Sequence, residues 1–201
     1  MYIILADAEL ELIPDELKNE DEVKSILKKK GKETALLDNY ELGYSISKRF
    51  HGYANRMGFP HIAYVFAKLN EESVLNETTE LDYAIHTKND VIIRKSDLSG
   101  IGAGYNEFAE RVEHLLLSNP KRMSLLQFVK TIGGIENTVV LHPKGKSGLV
   151  VNDEMNYIIG GFPEGNYMSD LGLLEKFSIY DREITVPGVL ELLHFKLFQT
   201  L

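Results

Sequence analysis

The run Tyr157-Ile158-Ile159-Gly160-Gly161-Phe162-Pro163-Glu164-Gly165, followed by Phe177-Ser178-Ile179-Tyr180-Asp181, has the make-up of strand ends that hold a ligand through bare backbone. Gly160, Gly161 and Gly165 lack a β-carbon, so main-chain amides and carbonyls can reach the edge of a flat heterocycle such as adenine. Phe162, Ile179 and Ile184 are then available to cover its faces. The same glycines serve equally well as tight turns between strands, and local pattern does not separate the two readings. Other chemistry finds less support. The six histidines (His51, His61, His86, His114, His142, His194) show no metal-binding spacing, and with no cysteine there is no thiolate nucleophile or thiolate ligand, so no metal site is expected. No Gly-x-Ser-x-Gly elbow occurs. Gly100-Ile101-Gly102-Ala103-Gly104 precedes a helix, but it lacks the dinucleotide-binding spacing and a phosphate-loop lysine.

The elements that must position these residues can be read from periodicity. Tyr2 to Ala6 is expected as a buried strand, the segment after Pro14 as a short helix, and a charged helix ends near Lys30-Gly31. Thr34 to Leu37 reads as a second short strand and Leu42 to Ala54 as a helix. Gly58-Phe59-Pro60 breaks the chain before His61 to Leu69, an apolar run that fits a strand or a buried helix. Leu81 to Thr87 and Val91 to Arg94, joined by Lys88-Asn89-Asp90, form the pattern of an antiparallel hairpin. A helix is expected over Tyr105 to Leu117, with Phe108, Val112, Leu115 and Leu116 on its buried face, and Ser124 caps the next. Thr138 to Leu141, Tyr157 to Ile159 and Phe177 to Ile179 are short continuous apolar runs, as in strands of a parallel sheet covered on both faces. The last helix, capped by Thr185 with Pro187 in its first turn, is apolar nearly all round. Such a helix needs cover on every side, which a homodimer supplies or the interior of one domain does.

At 201 residues the chain is expected to be one domain, residues 1–201, with a hairpin and loop inserted at about 78–104. A formal charge of −8 opposes non-specific coating of nucleic acid, although Lys28-Lys29-Lys30 with Lys32, Lys48-Arg49 with Arg56, and Lys144 with Lys146 form local basic clusters. No stretch is long and apolar enough for a membrane span, no signal peptide is visible, and the expected location is cytoplasmic.

Several segments in order along the chain resemble the nucleolar essential protein one family: Leu5-Ala6-Asp7-Ala8-Glu9-Leu10-Glu11-Leu12-Ile13-Pro14, Leu37-Asp38-Asn39-Tyr40, Ile85-His86-Thr87-Lys88, Tyr105 with Phe108, Ile158 to Pro163, and Ser178-Ile179-Tyr180. The resemblance implies an α/β fold of the SPOUT class, a mostly parallel sheet with helices on both faces and a C-terminal trefoil knot, which is rare among folds. It implies a homodimer that uses S-adenosyl-L-methionine to methylate N1 of a pseudouridine in small-subunit rRNA during ribosome biogenesis. By the resemblance, Gly160, Gly165 and the stretch Ser178, Ile179, Tyr180, Asp181, Arg182, Glu183 hold the cofactor; Tyr105, among the matched residues, and Arg56, a nearby basic residue, are the candidate RNA contacts. No residue is singled out as the catalytic base.

The sequence also departs from that family. Phe59-Pro60-His61 stands where the family has Arg-Pro-Asp, and Gly100, Ala103 and Glu107 stand where it has arginines. Those four arginines would neutralise phosphates or contact bases, so RNA affinity in the usual manner is weakened. Two alternatives follow: an assembly factor that keeps the knotted dimer without catalysis, or a methyltransferase of a different RNA.

Overall fold

The computed structural model describes residues 1–99 and 104–201. The Gly100 and Ala103 positions discussed above lie outside the described residues.

Among the described residues, six strands form one sheet: β1 (Tyr2–Ala8), β2 (Asp82–Thr87), β3 (Ile92–Arg94), β4 (Thr138–Lys146), β5 (Asn156–Gly160) and β6 (Glu175–Phe177). Their order is β3-β2-β1-β5-β4-β6, and every neighbouring pair is parallel except the β2–β3 hairpin. The α-helices among the described residues are α1 (Asp21–Lys30), α2 (Asn39–Arg49), α3 (Pro60–Glu71), α4 (Tyr105–Leu117), α5 (Leu125–Thr131) and α6 (Val186–Phe198).

Alternation along the central strands divides the core into two layers, because successive side chains point to opposite faces. Ile3 and Leu5 of β1, Tyr157 and Ile159 of β5, and Val139 and Leu141 of β4 pack with Phe66 of α3, Phe108 and Val112 of α4, and Leu190, Leu193 and Leu197 of α6. Ile4, Ala6, Val140 and Ile158 face the other way, where Leu125, Phe128 and Val129 of α5 cover them together with Leu171 and Leu174. A third cluster, Val23 and Leu27 of α1 with Leu42 and Ile46 of α2, packs with Ile13, Leu17 and Leu37.

The hairpin and α4 occupy their expected positions, and Ser124 accepts from the Gln127 amide in a capping box. His61 to Leu69 resolves as helix, since Pro60 fixes the first-turn backbone of α3. Other expectations change. The segment after Pro14 makes only i to i+3 backbone bonds, at Leu17, Lys18 and Glu20, so it forms turns and no helix. Thr34 to Leu37 contributes one isolated bridge, Leu12 with Leu36, outside the main sheet. Helix α2 begins earlier than its apolar spacing indicates because Asp38 caps it, its carboxylate accepting from the Tyr40 amide. The last strand is shifted toward the N-terminus, ending where Ser178 donates its amide to the Lys146 carbonyl. Strand β4 runs on to reach that point, and a β-carbon at Gly145 would lie 2.5 Å from the Phe177 backbone. Thr185 stands at the N-cap of α6 in extended conformation, but its side chain makes no capping bond.

Candidate functional site

Parallel strands deliver their loops to one end of the sheet, where the loops after β5 and β6 meet Leu141 to Pro143 of β4 beside the first turns of α3 and α6. Together they enclose a cavity of about 590 Å³, within the range that takes a cofactor-sized ligand. Leu141 and His142 come from β4, Gly160, Phe162 and Gly165 follow along β5 and its loop, and Ser178 to Tyr180 lead from β6 toward α6. Of the residues expected at the cofactor, Gly160, Gly165, Ser178, Ile179, Tyr180, Arg182 and Glu183 line this cavity. Asp181 is exposed and is not part of the wall.

The three glycines do different things. The atoms nearest a β-carbon on Gly160 would be those of the Phe162 ring, the first at 2.9 Å, so glycine is what lets that ring close over the backbone in the cavity wall. Gly165 has φ +92°, a conformation that L side chains rarely adopt. Gly161 belongs to the packing: its amide donates to the Ala6 carbonyl at 2.7 Å, and a β-carbon there would sit 2.9 Å from the Ala8 Cα. On the far side, Ile179, Ile184 and Val189 supply apolar wall. The Ser178 hydroxyl donates to the Tyr180 carbonyl and holds the loop in a tight turn.

Behind the β5 loop lies a buried polar network to which the sequence reading assigns no role. Asp7, at the end of β1 with φ 55°, accepts from the Met168 and Ser169 amides at 2.6 and 3.0 Å and from the Ser169 hydroxyl at 2.6 Å. Glu9 is fully buried; Arg56 Nε donates to it at 2.5 Å and Lys88 Nζ lies 2.8 Å from its second oxygen. Lys88 also reaches Glu11 at 2.9 Å and donates to the Arg56 carbonyl at 2.7 Å. Burial raises the Glu11 carboxyl above the usual range, opposed by Lys88. The sequence signal for this network is three acids, Asp7, Glu9 and Glu11, inside an otherwise apolar stretch, since buried charge is retained only where it is paired.

The two residues expected at RNA are both engaged internally. Besides Glu9, Arg56 donates from Nη1 to the Asn166 carbonyl at 2.9 Å and lies 4.2 Å above the Phe162 ring, so it braces the cavity's β5 loop. Tyr105 donates its hydroxyl to the Asp38 carboxylate at 2.5 Å and packs edge-on to Tyr64. Burial and that hydrogen bond push the Tyr105 phenol well above its ordinary pKa. Two imidazoles stand in the cavity wall, His61 and His142, and burial lowers the pKa of each, so both are neutral at pH 7. No group of three or more His, Cys, Asp and Glu suited to a metal ion occurs among the described residues.

The family model for EMG1/NEP1 methyltransferase matches residues 3–194. This chain belongs to the EMG1/NEP1 methyltransferase family. It is 31% identical to the ribosomal RNA small subunit methyltransferase Nep1 of Thermoplasma acidophilum and 33% identical to that of Thermoplasma volcanium, in each case over 94% of this chain and 93% of the relative. The crystal structure of Archaeoglobus fulgidus Nep1 bound to S-adenosylhomocysteine superposes with a TM-score of 0.81, covering 98% of this chain and 97% of that one, at 20% identity. The α/β fold class expected from the sequence is thus the fold found, and it is shared with a Nep1 protein. Within this EMG1/NEP1 chain, the cavity and its two glycine positions fall inside the matched residues.

Proposed function

We propose that this protein transfers the methyl group of S-adenosyl-L-methionine to N1 of a pseudouridine in small-subunit rRNA. The observation that carries the reading is the cavity at the C-terminal strand ends, lined by Gly160 and Gly165 and by apolar Ile179 and Ile184, in a chain of the EMG1/NEP1 methyltransferase family. The Archaeoglobus fulgidus Nep1, bound to S-adenosylhomocysteine in its crystal structure, and the ribosomal RNA small subunit methyltransferases Nep1 of the two Thermoplasma species support it. The β5 loop around Gly160 and Gly165 and the stretch Ser178 to Glu183 are the segments the family resemblance assigns to the knotted loops.

The donor group fits the residues present: backbone around Gly160 and Gly165 would hold it, and Ile179, Ile184 and Phe162 would supply apolar cover. When bound, S-adenosyl-L-methionine supplies an electrophilic methyl group on sulfur. The chain's own part is to align the incoming base nitrogen with that methyl and to keep water out. Alignment alone accounts for a large part of such a rate. Neutral His142 and His61 leave the cavity wall without imidazolium charge at pH 7.

The working form is a homodimer in the cytoplasm. Phe195 and Phe198 of α6 are 59% and 54% exposed in one chain, and a second copy covers them. Residues Gly160, Gly165, Ser178, Ile179, Tyr180, Arg182 and Glu183 hold the cofactor.

The test is isothermal titration of S-adenosyl-L-methionine followed by transfer of a labelled methyl group to an rRNA hairpin. Binding plus transfer supports the enzyme. A second reading, a non-catalytic assembly factor, is favoured by Arg56 and Tyr105 being held internally and by Phe59 and Glu107 at positions where the family has arginine. Cofactor binding without transfer to any pseudouridine RNA supports that reading instead.

A further inference from the structure

We propose that the outer face of α2 is a stacking track for unpaired nucleotides of the RNA, running from Lys48 through Tyr44 and Tyr40 to His61 at the cavity wall. The inference rests on the methyltransferase reading above and adds how the RNA strand is guided to the site.

Tyr40, Tyr44 and Lys48 are spaced four residues apart on one helix and therefore form a single row. Tyr40 and Tyr44 are 77% and 75% exposed, so their rings do little for the core. At one end of the row, the Tyr40 ring lies 4.5 Å from that of His61, tilted by 47°, and its hydroxyl is 3.3 Å from His61 Nε2. Phe59 packs edge-on to the same imidazole at 5.8 Å. His61 is itself part of the cavity wall. An aromatic surface thus continues from solvent to the site where the methyl donor is proposed to sit.

The chemistry of the row selects its occupant. Its exposed members on α2 are two tyrosines with Ser47, Lys48 and Arg49; Lys48 is paired with Glu20 at 2.6 Å, and Glu41, the one acid of the helix, is paired with Lys30 at 2.6 Å. Aliphatic side chains that a protein partner would bury, Leu42 and Ile46, face inward. Consecutive flat rings with basic side chains at one end suit an unpaired strand: bases stack on the rings, and the phosphates meet Arg49 and exchange with Glu20 at Lys48. A duplex offers no free base faces and gains nothing from the rings.

The experiment uses a small-subunit rRNA hairpin with one pseudouridine in its unpaired loop and 2-aminopurine next to it, and the same strand annealed to its complement. Wild-type protein is expected to quench the 2-aminopurine on binding the loop. The Tyr40→Ala, Tyr44→Ala double variant is expected to bind the loop on the order of 10- to 100-fold more weakly, without quenching, while Tyr40→Phe, Tyr44→Phe stays near wild type. Duplex affinity and S-adenosyl-L-methionine affinity are expected to be unchanged in all three. Wild-type loop affinity in the alanine variant, or equal loss on loop and duplex, overturns the track. So does a change of sedimentation mass in the alanine variant, which would make the face a contact between copies. Failure of the methyltransferase reading shows separately, as wild-type protein that binds no S-adenosyl-L-methionine or transfers no methyl group.

Discussion

Arg56 is bonded to the fully buried Glu9 at 2.5 Å while its guanidinium lies 4.2 Å above Phe162, so one side chain joins the end of β1 to the loop that walls the cavity. Removing one partner of a buried pair costs about 3–5 kcal/mol because the other charge is stranded. Here Lys88 stays beside Glu9, which places Arg56→Ala at the lower end, about 3 kcal/mol. Urea unfolding measures that loss. Cofactor affinity should fall with it, since Phe162 and the Asn166 carbonyl lose their brace.

Gly160 and Gly161 are adjacent in sequence and should separate cleanly on mutation. A methyl group at Gly160 pushes the Phe162 ring, a side chain of the cavity wall, so Gly160→Ala is expected to weaken S-adenosyl-L-methionine binding by on the order of 10-fold with a smaller loss of stability than at Gly161. Gly161→Ala drives a β-carbon against the Ala8 backbone and Leu5, which lowers stability by about 1–3 kcal/mol. Calorimetric titration and denaturant melts on the two variants check both outcomes.

A bulky residue at Gly165 combines a strained positive φ with contact against Arg56 Nη1 at 3.3 Å. Gly165→Val is expected to abolish detectable cofactor binding while circular dichroism stays that of a folded protein. Full affinity in this variant would remove Gly165 from the site.

His194 on α6 gives a pH dependence with a definite sign. Burial depresses its pKa from 6.5 to about 4, with Nε2 placed 3.2 Å from the Asn70 side-chain oxygen. The unfolded chain therefore binds more protons than the native one between those values, and stability contributed by this group is complete above pH 6.5 and is lost as pH falls toward 4. Allowing for partial solvent contact, the loss is about 1–2 kcal/mol. Comparing wild type with His194→Gln in urea at pH 7 and pH 4.5 isolates it: wild type should lose more stability than the variant on acidification.

Much of the architecture was legible where one local signal suffices. The β1 run is apolar enough to be buried on both faces, α4 carries its 3.6-residue stripe, and the β2–β3 turn sits between alternating segments. The sheet order was not, because placing β5 between β1 and β4 depends on pairings that span much of the chain. Thr34 to Leu37 illustrates the same limit: its residues have strand character, but the partner available is the short segment around Leu12. At the site, glycines were informative because their lack of a side chain is visible in sequence. Arg56 was not, since the side chains that engage or brace it, Glu9 and Phe162, lie 47 and 106 residues away, and an arginine near a basic cluster reads as a nucleic-acid contact until its carboxylate is seen.

The central claim is tested most directly by labelled methyl transfer from S-adenosyl-L-methionine to two small-subunit rRNA hairpins identical except for uridine or pseudouridine at one loop position. Transfer to the pseudouridine hairpin alone is the expected result. No transfer to either hairpin by protein that binds the cofactor, or equal transfer to both, would contradict it.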